Sequence, residues 1–169
     1  LALSSLGALG ISLAVSFVLT PFLYRLSSRT KGVDNSWMIA FVHKAAAALN
    51  VGKPRLFVLD KAEPAAFSCS QISPSIFLTV GLTELLHPKE IQAVLLHELG
   101  HIKQGTSFLK FSNNLFRSLT LVSTLSVFHD ELTQEEREAD DLAISIQGTD
   151  RFLCSAKEKV KQYVLLKRS

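Results

Sequence analysis

Val94-Leu95-Leu96-His97-Glu98-Leu99-Gly100-His101-Ile102-Lys103-Gln104 places two histidines four residues apart inside an apolar run. The surrounding pattern is helical: across residues 89–104, Ile91, Val94, Leu95 and Leu99 fall on one side. His87-Pro88 opens the segment, with proline in the first turn, where a missing N–H costs nothing, and Gly105 stops it. On such a helix His97 and His101 project from one face, close enough to share one ion. Zinc suits two imidazoles because it is borderline-soft and accepts tetrahedral nitrogen ligation. Glu98 stands beside the first histidine and can reach a water on the metal without binding the metal itself. The competing interpretation is a charged helix face with two solvated histidines. The apolar setting of VLLHELGHI weighs against it.

A catalytic zinc takes three protein ligands and keeps one position open. The other histidines are His43, His87 and His129, and Ser107 stands where an HExxHxxGxxH extension would place a third. A carboxylate is therefore expected. The acids cluster at Glu135, Glu136, Glu138, Asp140 and Asp141. Glu136 and Asp140 share a helix face at i, i+4, so one can ligate while the other hydrogen-bonds a ligand histidine. The expected chemistry is peptide-bond hydrolysis with one Zn2+ ion. Zinc lowers the pKa of water toward about 7, Glu98 takes the proton, hydroxide attacks the carbonyl, and Glu98 passes the proton to the leaving amine.

The chain of 169 residues is 47% hydrophobic and 20% charged, with a formal net charge of +3. That apolar balance directs attention to a membrane segment. Residues 1–24 carry no charge and would reach about 36 Å as a helix, enough to cross a hydrocarbon core of about 30 Å. Arg25, Arg29 and Lys31 follow, which puts the chain after the helix, and with it the catalytic segment, on the cytoplasmic side. Residues 25–36 are then a basic and polar linker, residues 37–150 the catalytic domain, and residues 151–169 a basic amphipathic C-terminal helix. The sequence opens on Leu1 rather than Met, as a fragment or processed form would. Scattered basic residues without a stacking platform exclude a nucleic-acid partner. The partners expected are a protein or peptide substrate and the lipid bilayer, with a homo-oligomer or additional membrane segments left open. Cys69 and Cys154 cannot form a disulfide framework and read as free, mostly buried thiols, with a single Cys69–Cys154 bridge as the alternative.

Within the domain, residues 37–49 read as a helix, and residues 55–60, 65–69 and 75–80 as short strands, the last ended by Gly81. Residues 108–129 form a second apolar stretch, interrupted by Lys110, Asn113, Asn114 and Arg117. A single crossing there would strand Glu136 on the opposite side of the bilayer from His97, so a core, interfacial or re-entrant segment is expected. Residues 131–148 read as a helix with Thr133 as its N-cap and Glu136 at the capping-box spacing.

HELGHIK followed by EREADDLAI resembles the M48 family of membrane-linked gluzincins, the HtpX/Ste24-like peptidases. The resemblance spans roughly residues 37–150. It implies an α+β zincin-like domain, mainly helical with a small β-sheet, whose edge strand holds an extended substrate. It assigns the third ligand to Glu136 and the supporting acid to Asp140, with Glu138 as the alternative ligand in a shifted register. The M56 sensor-transducer peptidases are a close second resemblance, which would make the chain a signal-transducing protease domain. A metal-stabilised assembly protein without turnover is the non-enzymatic alternative.

Overall fold

The computed structural model describes residues 36–70, 73–105 and 126–168, with side chains described except at 36, 126–133 and 168. The expected spanning helix at 1–24 and most of the apolar stretch 108–129 lie outside the described residues. In order, the elements are α1 (Ser36–Ala48), β1 (Arg55–Leu59), β2 (Ala66–Cys69), β3 (Ser75–Thr79), α2 (Val80–Leu85), α3 (Pro88–Gln104), α4 (Ser126–Gln147) and α5 (Arg151–Arg168). The mixed class matches the α+β expectation. Among the described residues, no helix is long and apolar enough to cross a membrane.

The sheet has the order β1-β3-β2, with β1 parallel and β2 antiparallel to β3. All five residues of β3 are buried. Its alternation sends Ile76 and Leu78 into the helical core, while Phe77 faces the other side. There Phe77 stacks between Phe57 and Phe67, its register partners, at ring-centroid distances of 5.0 and 4.8 Å. β2 is thus an edge strand, and it packs beside α3.

The end of β3 departs from the expected strand. Thr79 is its last residue and caps α2: the Thr79 hydroxyl oxygen accepts from the Leu82 N–H at 3.2 Å and from the Ala65 N–H at 2.9 Å. Val80 is therefore helical. Gly81 is a close-approach residue rather than a strand stop, because a Cβ there would lie 1.9 Å from the Ala62 carbonyl oxygen. The Gly81 N–H donates to the Lys61 carbonyl at 2.9 Å, holding the loop before β2 against α2.

α3 is the centre of the fold, packed by α1, β2, α4 and α5. Leu95, Leu96 and Leu99 are fully buried, each contributing on the order of 1.5–3 kcal/mol. Pro88 at the first turn and Gly105 in the left-handed region at φ +73° bound the helix as its sequence anticipates.

The α4 boundary is a correction. The helix starts at Ser126, so Thr133 lies in its interior and is not its N-cap. Residues 126–132 contain no glycine or proline to interrupt the helix. The Thr133–Glu136 spacing is also the ordinary i, i+3 spacing inside any helix. Gly148 at φ +71° turns the chain into α5, whose Leu153 and Ala156 join the core. Both cysteines are free, but the expected burial does not hold: Cys69 is half-buried, and Cys154 is exposed on the outer side of α5.

Candidate metal centre

The histidine pair begins with the start of α3. The Glu90 carboxylate, in the first turn, accepts from the His87 N–H at 2.8 Å and closes the helix start. Two and three turns on, the His97 and His101 rings stand edge to face, with centroids 4.6 Å apart and an interplanar angle of 86°. Their Nε2 atoms are 3.0 Å apart. His101 is completely buried, and His97 and Glu98 are nearly so.

The carboxylates arrive on α4 through one close contact. A Cβ on Gly100 would lie 3.0 Å from the Cα and 3.1 Å from the Cβ of Ala139. Glycine at this position lets the two helix backbones approach more closely than any side chain would allow. Glu136 and Asp140 flank Ala139 on the same face of α4. The Glu136 Oε2 lies 3.4 Å from the His97 Nε2, and its Oε1 lies 3.9 Å from the His101 Nε2. Asp140 takes the other ring nitrogen, its Oδ1 standing 2.7 Å from the His97 Nδ1.

These positions fit a zinc ion. Ligand bonds near 2.0–2.1 Å at tetrahedral angles put neighbouring ligand atoms about 3.3 Å apart. The separations of 3.0 Å between the two Nε2 atoms and 3.4 Å from the His97 Nε2 to the Glu136 Oε2 lie close to that value, and one ligand atom from each of the three residues falls within 4.8 Å of the others. The donor set of two imidazoles and one carboxylate is zinc chemistry. With Asp140 on Nδ1, the ring orientation of His97 is held and its Nε2 would be left to ligate an ion.

Of the sequence-predicted residues, His97, His101, Glu136 and Asp140 converge, and Glu98 follows His97, about 100° round the helix. Glu138 does not join them. It is exposed and accepts from the Gln104 and Gln134 side-chain amides at 3.2 and 3.1 Å. Lys157, on α5, was not anticipated: its ammonium pairs with the second oxygen of Asp140. Burial favours the neutral acid at Asp140, but hydrogen bonds and charge from His97 and Lys157 outweigh it and hold the carboxyl below the ordinary aspartate value. No local signal in a basic amphipathic segment marks which lysine finds such a partner.

Beside His97 a groove of about 330 Å³ opens between β2, α3 and α5. Ala65, Ala66, Val94, Leu153, Ala156 and Val160 give it apolar walls, and Lys157 and Lys161 also line it. The Thr79 N–H of β3 donates to the Ala65 carbonyl at 3.0 Å, and the Ala65 N–H donates to the Thr79 hydroxyl, so the next residue, Ala66, turns its own N–H and C=O toward the outer edge of β2.

The model of peptidase family M48 matches residues 33–161. Protease HtpX of Psychrobacter sp. (strain PRwf-1) is 29% identical over 99 residues, covering 54% of this chain and 33% of that protein. A Protease HtpX homolog of Archaeoglobus fulgidus is 26% identical over 132 residues, covering 77% of this chain and 38% of that protein. A further homolog from Albidiferax ferrireducens is 32% identical over 83 residues, covering 48% and 28%. The chain spans about a third of the length of the curated relatives it matches. The family match takes in both the helix that carries the histidines and the helix that carries Glu136, and of the two families that the motifs resemble it is the first: the chain belongs to peptidase family M48.

Proposed function

We propose that this chain is the catalytic portion of a membrane-attached zinc endopeptidase. His97, His101 and Glu136 hold the ion, Glu98 is the general base, and Asp140 orients His97. The observation that carries this reading is the meeting of two imidazoles and one carboxylate, drawn from helices distant in sequence, within 4.8 Å. Membership of a peptidase family supports the reaction class.

When bound, zinc supplies Lewis acidity, lowering the pKa of water and polarising a carbonyl. The protein does the rest. Glu98, buried beside His97, takes the proton of the attacking water and returns it to the leaving amine. Asp140 keeps the proton of His97 on Nδ1. A peptide in extended form adds to the open edge of β2, where Ala66 offers its backbone groups. The uncharged residues 1–24 anchor the chain in a bilayer, and Arg25, Arg29 and Lys31 set the catalytic domain on the cytoplasmic side.

Glu98→Gln tests the reaction. Zinc content is expected to stay at wild-type level while hydrolysis of a casein-type protein substrate falls by at least about 10²-fold, the scale of a lost general base. Zinc retained with activity unchanged would remove Glu98 from this role.

A further inference from the structure

α5 carries four lysines, Lys157, Lys159, Lys161 and Lys167. Three are matched with acids from other parts of the fold: Lys157 with Asp140, Lys159 with Glu90 and Lys167 with Glu63. Lys161 is different. It is exposed, and no carboxylate among the described residues pairs with it. It lies one helical turn beyond Lys157, on the same face, and lines the apolar groove that runs to His97. The net result is a small apolar trough with a histidine of the metal centre on one side and, on another, an ammonium that pairs with no carboxylate among the described residues.

We propose that this groove is the specificity pocket of the site, that it takes an apolar side chain flanking the scissile bond, and that Lys161 selects peptides with an acidic residue next to that side chain. This rests on the peptidase reading. Three features argue for a peptide as occupant. The groove is bounded by β2, whose open edge can pair with an extended chain. Its volume of about 330 Å³ suits a small ligand such as a short piece of peptide rather than a folded domain. Its walls are apolar around a single type of charge, so one carboxylate completes the ion pairing along α5. Lys157 is already committed to Asp140, which leaves Lys161 as the charge that discriminates.

The test uses the full chain loaded with zinc and carrying Glu98→Gln, so that binding is read without turnover. Fluorescent peptides share one central leucine and differ in carrying Glu or Lys beside it. The Glu peptide is expected to bind about fivefold tighter, the worth of a partly exposed ion pair. The preference disappears in Lys161→Ala, reverses in Lys161→Glu, and stays intact in Lys44→Ala, an exposed lysine elsewhere. Replacing the leucine by serine weakens binding at least tenfold. An identical preference in wild type and both Lys161 variants, equal binding of the leucine and serine peptides, or no peptide binding at all, overturns the proposal. Cleavage by the chain with Glu98 intact is measured separately. Selective binding without any cleavage supports the pocket and refutes the peptidase reading alone.

Discussion

Gly100→Ala probes the contact that brings the carboxylates to the histidines. The added Cβ would sit 3.0 Å from the Cα and 3.1 Å from the Cβ of Ala139, whereas carbon atoms rest about 3.5–4.0 Å apart. The neighbour is backbone on a packed helix, so α4 must retreat by roughly half an ångström. Overpacking of this kind costs typically about 1–3 kcal/mol. Replacing glycine by alanine inside a helix returns about 1 kcal/mol. The apo-protein is thus expected to lose between about 0 and 2 kcal/mol, a fall in Tm of at most several degrees for a chain of this size. The larger effect falls on the metal. Glu136 and Asp140 flank Ala139 and move with it, and a binding constellation tolerates displacement of only about 0.5 Å. Zinc affinity, read by competition with a chromogenic chelator, is expected to drop at least about tenfold. Adding Ala139→Gly relieves one of the two contacts and should restore part of the affinity without restoring stability. A Gly100→Ala chain with higher Tm and unaltered zinc affinity would refute the close-approach argument, because helix propensity alone would then account for the change.

Asp140→Asn keeps a hydrogen-bond acceptor for the His97 ring but removes the charge that Lys157 pairs with. Zinc affinity should fall about 10–100-fold, with Lys157→Met costing only a few-fold; an unaffected Asp140→Asn chain would remove the orienting role. Glu90 makes a separate prediction for acid stability. Burial raises its pKa, but hydrogen bonds from Lys159, Ser155 and the His87 N–H together bring it below the usual 4.5. A depressed carboxyl pKa stabilises the fold above the unfolded value and loses that contribution as the pH falls through the folded one. Urea denaturation of zinc-free wild type and Glu90→Gln should therefore show a gap at neutral pH that closes below about pH 4.5. A gap that does not change with pH would contradict it.

The histidine pair was legible because both residues lie one turn apart on a single helix, where spacing alone fixes geometry. Glu136 and Asp140 were legible as a face, and Glu136 was separated from Glu138 only by its likeness to the family pattern. The structure supplies the physical reason: Gly100 against Ala139 sets which face of α4 meets α3. The strands were placed nearly correctly, since turn formers bound them. α2 was missed because Thr79 caps it through a hydroxyl shared with Ala65, a tertiary contact with no local signature. The N-cap at Thr133 failed for the opposite reason: an acid-rich helix interior reproduces the capping-box spacing by itself. Lys157 and Lys161 could not be told apart in sequence, because their difference lies in which acids the fold brings to them.

Zinc content of wild type beside Glu136→Ala tests the metal centre most directly. One zinc ion per wild-type chain is expected after dialysis against a weak chelator, with X-ray absorption showing nitrogen and oxygen ligands near 2.0–2.1 Å. Glu136→Ala is expected to lose the ion under the same dialysis while keeping its far-ultraviolet circular dichroism. Equal zinc retained by the folded Glu136→Ala chain would place the third ligand elsewhere and contradict the site built from His97, His101 and Glu136.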